Sequence, residues 1–194
     1  MSNAVVNALR ILWGRLTEQG GQATATWAID HIVRIVTGAP MRSVSQITPH
    51  LHVGGQYRQR GWERLAARGI TAVVNLRIEF DDEPAGIAPQ RYLYLPTIDD
   101  TPPSLEDLRA GVDFIRKEIE RGGGVYVHCG SGVGRAPTMA ATYLVSTGLT
   151  SEEAWARIRE RRPFIRPKAK QISQVDRFAK DLRREHGPGQ PDRT

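Results

Sequence analysis

Residues 128–137 read HCGSGVGRAP and hold the only cysteine of this 194-residue chain. Glycines at 130, 132 and 134 let a backbone turn tightly and present its N–H groups to one side. The VYVH stretch before them (125–128) reads as a short central strand. A helix must begin near Arg135, adding unpaired N–H groups and the positive end of its dipole. Together these make a cradle for a tetrahedral dianion. Gly130, Ser131, Gly132, Val133 and Gly134 would supply backbone donors, and Arg135 a guanidinium fork for two phosphate oxygens. Cys129 falls at the base of that cradle, where the same field favours thiolate over thiol. A thiolate facing a bound phosphorus is a nucleophile in position. The loop is not a nucleotide-binding P-loop, because the Lys-Ser/Thr pair that would follow the last glycine is missing. No His/Cys/Asp cluster has metal-ligand spacing, so neither metal nor cofactor is expected.

The elements that must position this loop alternate between strand and helix. HLHV (50–53), the β-branched TAVVNL (71–76) and RYLYL (91–95) read as strands, with a helix from about Arg58 to Arg68 between the first two. Ser104 can cap a helix whose apolar face is Leu105, Leu108, Val112, Ile115 and Ile119, ended by three glycines at 122–124. After the loop, Met139, Ala140, Tyr143 and Leu144 should face inward from the next helix. Thr150 and Glu153 form a capping-box pattern for another helix, to about Arg161. A last helix uses Ile172, Val175, Phe178, Ala179 and Leu182. This order implies an α/β fold, a central, mostly parallel sheet flanked by helices.

Ahead of it lies an N-terminal extension, residues 1–40, that reads as two amphipathic helices parted by Gly20 and Gly21. Val5, Leu9, Leu12, Trp13 and Leu16 share one face of the first; Ala28, Ile29, Ile32, Ile35 and Val36 share one face of the second. Those faces are expected either to pack on the catalytic domain (41–186) or to rest on lipid, with Trp13 and Trp27 at headgroup level. The tail, 187–194, has a disordered composition.

Apolar content of 40% and charged content of 25% suit a globular protein, and one cysteine excludes an internal disulfide. No run of about 18 apolar residues could cross a bilayer, and no secretory signal opens the chain, so a cytoplasmic location is expected. The net charge of +6, mostly arginine, fits an anionic partner but equally fits solvated helix faces.

The HCGSGVGR loop resembles the H-C-x5-R signature of the cysteine-dependent protein tyrosine phosphatases, in their dual-specificity branch. The likeness runs from about Ile47 to Leu182 through ITPHLHVGG, VVNLR, LPTIDD, the loop, and RIRERRPFIRP followed by Gln171. It implies that Cys129 forms a phosphocysteine while Arg135 and the loop backbone hold the phosphoryl oxygens. It also implies that His128 orders the loop. The family takes its general acid from the loop after the preceding strand, about six residues before the next helix's first apolar residue. Here that residue is Leu105, which points to Asp99, with Asp100 as the alternative and Asp81, Asp82 and Glu83 held in reserve. One departure stands out. The family's usual Ser or Thr after the loop arginine is Ala136 here, which implies slow phosphoenzyme breakdown.

A phosphorylated protein or other phosphomonoester is the expected partner. The resemblance also reaches phosphatidylglycerophosphate phosphatases and plant glucan phosphatases. A phosphate-reading pseudophosphatase would share the loop, as would an RNA 5′-triphosphatase, although nucleic acid is not the expected partner. An anionic membrane surface, met through residues 1–40, is a further expected contact.

Overall fold

Strand β4 (Gly124–Cys129) is buried at every position, so both of its faces must be covered by other elements. In the computed structural model it lies inside a four-stranded sheet of order β1-β4-β2-β3, parallel at every pairing. The structure describes residues 3–186, apart from the side chains of residues 3–5, 7–9, 11, 12 and 186. The expected contacts of Val5, Leu9 and Leu12, and the tail from residue 187, lie outside the described residues.

β1 (Leu51–Gly55) and β2 (Ile70–Arg77) flank β4, and β3 (Arg91–Thr97) forms an edge with partly exposed side chains. Register sets Gly55 beside Cys129 and Asn75 beside His128. The sheet's carboxyl ends therefore converge on the loop, where open parallel sheets gather their ligand sites.

Alternation along β4 sorts its side chains. Val125, Val127 and Cys129 enter the larger core, with Leu108 and Ile115 from α4 (Leu105–Glu120), Met139 and Ala140 from α5 (Arg135–Ser146), Ile158 from α6 (Ser151–Arg161) and Phe178 from α7 (Ala169–His186). Tyr126 turns to the opposite core with Tyr57, Val73 and Leu65, the last from α3 (Gln59–Ala66). The caps read from sequence are present: Ser104 accepts from the Asp107 N–H at 3.0 Å, and Thr150 and Glu153 form a reciprocal capping box. A one-turn helix, α2 (Arg42–Ser45), had no periodic signal to announce it.

The N-terminal helix α1 (Asn3–Thr37) is two arms joined at Gly20, whose φ of 80° and ψ of 169° break the helical run where the glycine pair stands. Its docked face differs from the one that apolar periodicity selects. Ile29, Ile32, Ile35 and Val36 are 52, 59, 45 and 66% exposed, and Trp13 and Leu16 are exposed too. The second arm docks instead through Ala23, Trp27, Asp30 and Arg34, spaced four, three and four residues apart on one helix face. Ala23 and Trp27 pack with Val44, Met41, Val133 and Phe164, while Asp30 is buried at 3% exposure. Trp27 lies under the Arg15 guanidinium, 4.2 Å from its ring centroid, and stacks on His31, so it is a docking residue. Polar docking explains the inversion, since a face that binds through charged groups carries little hydropathy signal.

Trp27→Ala should cost on the order of 2 kcal/mol, or about 4–8 °C in Tm for a chain this size, whereas Ile32→Ser should leave thermal unfolding unchanged. Calorimetry on both variants checks this; a larger loss from Ile32→Ser would put the apolar face inside.

Candidate active site

An anion cradle requires that its carbonyls point away from the anion. From Gly130 to Gly134 every loop carbonyl is engaged. Gly130 accepts from the Gln56 N–H (3.1 Å) and from Arg34 Nη1 (3.3 Å). Ser131 accepts from Arg162 Nη2 (3.4 Å) and Gly132 from Arg162 Nε (2.8 Å). Val133 accepts from the Arg166 N–H (2.7 Å), and Gly134 from the N–H and hydroxyl of Thr138 (3.0 and 2.9 Å). In a planar trans peptide the next N–H points opposite to the carbonyl. Tying these carbonyls back therefore turns the amides that follow toward the front. The Gly132 N–H shows the result, donating to Cys129 Sγ at 3.3 Å. Gly132 has a φ of +70°, and a Cβ there would fall 2.3 Å from the Gly54 carbonyl carbon, so no other residue fits this turn.

Arg135 opens α5, nearly buried at 2% exposure. Its Nη1 and Nη2 donate to the two carboxylate oxygens of Glu79 at 2.8 Å each, and Nη1 also donates to the Thr97 carbonyl at 2.8 Å. Those bonds occupy the outer edge of the guanidinium. Nε makes no hydrogen bond among the described residues, so the Nε–Nη2 edge, beside which the Asp99 carboxylate stands, is the one a bidentate oxyanion could use. Asp99 Oδ1 lies 3.1 Å from that Nε, its side chain 79% exposed at the mouth of the site. Burial works against the Arg135 charge, yet the Glu79 bond together with the Cys129 and Asp99 charges raises its pKa above the ordinary arginine value. Asp100 turns the other way: it adopts a left-handed φ of 57° and pairs with Lys168 at 3.4 Å.

His128 faces away from the cradle. Its Nε2 meets Asp82 Oδ2 at 2.8 Å with both side chains fully buried, and Tyr57 packs edge-on against its ring. Gln56 donates to the other Asp82 oxygen at 2.8 Å. Burial first, then the Asp82 charge, push the Tyr57 hydroxyl well above the usual tyrosine range, so it remains a donor, to the Ile87 carbonyl at 2.7 Å. Asp82 thus has a structural duty, and Asp81 accepts from the Tyr92 hydroxyl at 2.7 Å. Gln171 is buried beside Gly134. It accepts from the Lys168 N–H and donates to the Thr101 carbonyl, both at 2.9 Å, tying the start of α7 to the loop that carries Asp99.

Glu79, Arg34 and Arg162 are the residues that sequence reasoning missed, together with the pairing of Asp82 to His128. Glu79 sits in a charged run, RIEFDDE, with no pattern separating a functional carboxylate from a solvated one. Among the described residues no group of three or more His, Cys, Asp or Glu could hold a metal ion.

The family profile described as dual specificity phosphatase, catalytic domain, matches residues 51–181, and the chain belongs to this family. Mouse dual specificity protein phosphatase 14 is 33% identical over 137 residues, covering 69% of this chain and 68% of the relative. Mouse dual specificity protein phosphatase 8 is 28% identical over 146 residues, covering 74% of this chain and 22% of the relative. The chain thus spans about a fifth of the length of that larger protein. Among solved structures, PTPMT1 in complex with PI(5)P superposes with a TM-score of 0.68 at 26% identity, covering 73% of this chain and 97% of that one.

The Arg135 hydrogen bond is the largest cause holding the Glu79 carboxyl at about 2, against an ordinary 4.5. A lowered acid contributes stability that is complete above its unfolded value and disappears as pH falls through the folded one. The stability difference between wild type and Glu79→Gln should therefore be constant above about pH 4.5 and shrink steadily toward pH 2. Urea denaturation across that range measures it; a flat difference would mean that the pair does not form in solution.

Proposed function

We propose that this chain is a phosphomonoester hydrolase working through a phosphocysteine, with phosphotyrosine- or phosphothreonine-bearing protein as its substrate. The observation that carries the reading is the placing of Cys129 Sγ under an amide cradle beside an Arg135 whose Nη1–Nη2 edge is fixed by Glu79 and whose Nε lies by Asp99. In the first step the thiolate attacks phosphorus and the bond to the leaving oxygen breaks. Asp99, at the mouth beside Arg135, gives its proton to that oxygen. In the second step water attacks the phosphocysteine, the P–S bond breaks, and Asp99 takes the proton back. The loop N–H groups and the Nε–Nη2 edge hold the three equatorial oxygens throughout. Membership of the family and the likeness to protein phosphatase 14 support a protein substrate.

Phosphate release from phosphotyrosine and phosphothreonine peptides tests the reading. Wild type should release many phosphates per chain, and Cys129→Ser none, while still binding tungstate. Release of at most one phosphate per chain would make the protein a reader and not an enzyme. In the same assay Asp99→Asn should lower kcat about 10²- to 10⁴-fold for phosphotyrosine and much less for an ester with an activated leaving group. Asp100→Asn should do neither; the reverse pattern would move the acid by one residue.

A second reading is favoured by the exposed face of α1. Ile29, Ile32, Ile35 and Val36 form an apolar stripe of the kind that rests on a bilayer. The structural likeness to PTPMT1, whose solved complex holds PI(5)P, supports a phospholipid monoester as the substrate at such a surface. No helix among the described residues is long and apolar enough to cross a membrane, so contact would be interfacial. The chain should sediment with vesicles containing anionic lipid, and Ile32→Glu should abolish that sedimentation. Wild-type protein left in the supernatant would remove the lipid reading and leave the peptide reading standing.

A further inference from the structure

The matched phosphatase domain begins at residue 51, yet the loop it carries is held partly from outside it. Two arginines reach the back of the cradle. Arg162, fully buried, takes the Ser131 and Gly132 carbonyls and also donates to the Val44 carbonyl at 2.9 Å. Its countercharge comes from α1: Asp30 Oδ2 lies 3.6 Å from Arg162 Nη2, and Asp30 Oδ1 accepts from the Met41 N–H at 2.9 Å. Arg34, one helical turn further along, sends Nη1 to the Gly130 and Gln56 carbonyls at 3.3 and 2.9 Å. Its Nη2 meets His31 Nδ1 at 2.9 Å, and His31 is stacked on Trp27. Three consecutive loop carbonyls, 130 to 132, are thus met by α1 directly or through an arginine that α1 pairs with, Gly130 sharing its tie with the Gln56 N–H.

The backbone of β1 is cut to this arrangement. A Cβ on Gly55 would stand 2.7 Å from Arg34 Cζ and 2.9 Å from the Gly130 oxygen. Only glycine lets the guanidinium cross the strand end to reach the loop, so the contact is written at both of its ends. A buried arginine without its counterion is costly, and a loop carbonyl with fewer ties allows its peptide more rotation, Gly130 resting on the Gln56 N–H once Arg34 is removed. That rotation would withdraw the following N–H from the anion. The energetic consequence lies in the transition state, where the equatorial oxygens carry most charge and donors must already be aimed.

We propose, resting on the phosphatase reading above, that Asp30 and Arg34 are positioning residues for phosphoryl transfer. On this view α1 is a working part of the active site and not only a packed extension. Neither residue touches the substrate; both act by fixing the peptide planes of Gly130 to Gly132.

The test uses the full chain and four variants: Asp30→Asn, Arg34→Gln, Arg34→Lys, and Gln19→Ala as a docking control. Gln19 donates to the Ile165 carbonyl at 3.1 Å and does not reach the loop. Three quantities are read: kcat and KM on an aryl phosphate, tungstate Kd by calorimetry, and Tm. Arg34→Gln and Asp30→Asn should lower kcat about 10-fold or more and raise tungstate Kd by a similar factor, in keeping with the loss of one or two oxyanion-directed donors. KM should change far less. Arg34→Lys should recover part of the loss, since an ammonium can still bond the Gly130 carbonyl. Gln19→Ala should lower Tm and leave kcat and tungstate Kd alone. If Arg34→Gln and Asp30→Asn merely copy Gln19→Ala, with lower Tm but kcat and tungstate Kd within twofold of wild type, α1 is only docked and the proposal falls. A wild-type chain that binds tungstate but turns over no ester would overturn the phosphatase reading, while the tungstate arm would still judge the positioning role.

Discussion

Backbone that binds an anion through its amides must put its carbonyls somewhere, and in this protein that constraint shapes almost everything around the loop. Each peptide between Gly130 and Arg135 has one polar end facing the hollow and one facing protein, where an unpaired carbonyl would be expensive. The rear partners come from widely separated stretches: Arg34, Gln56, Thr138, Arg162 and Arg166. The loop is therefore a product of tertiary structure. Its glycines permit the turn, but the peptides are aimed by groups up to about a hundred residues away in sequence.

The same two-sidedness runs through β4. Its period of two places Cys129 on the helix-covered face, at the floor of the cradle, and His128 on the other, against Tyr57 and Asp82. One residue in the strand presents chemistry while its neighbour fastens the strand end to the opposite layer. Glu79 extends the pattern to Arg135, occupying one edge of the guanidinium so that the other is presented in a fixed orientation. Fork geometry is what makes this possible; an ammonium could not be held on one side and offered on the other.

The groups to which we assign chemistry stand out in the sequence because their spacing is local. Cys129, the glycines and Arg135 lie within seven consecutive residues, and the strand and helix around them carry clear periodicity. The parallel sheet and the Ser104 and Thr150 caps were legible for the same reason. The supporting groups were not. Asp30, Arg34, Glu79, Asp82 and Arg162 carry no spacing signal, and only their tertiary partners distinguish them from solvated charges. The N-terminal helix misled for a related physical reason. In its second arm the hydrophobic stripe is the outer face, while the docked face takes its specificity from Trp27, Asp30, His31 and Arg34, polar or amphipathic groups that carry little hydropathy signal.

Ala136 belongs to this same division between local signal and tertiary support. On the proposed chemistry, the second step expels Cys129 as a thiolate, and a hydroxyl following the loop arginine would ordinarily meet that charge. Ala136 is fully buried and offers none. The nearest hydroxyl in the first turn of α5, on Thr138, is committed to the Gly134 carbonyl. What remains is the Gly132 N–H, already donated to the sulfur at 3.3 Å and kept there because Arg162 holds the carbonyls on either side of it. Stabilisation of the departing sulfur therefore passes from a side chain to a backbone amide whose aim depends on a buried arginine, and through its counterion Asp30 on α1. On that chemistry, a chain lacking the hydroxyl relies the more on holding that peptide rigid.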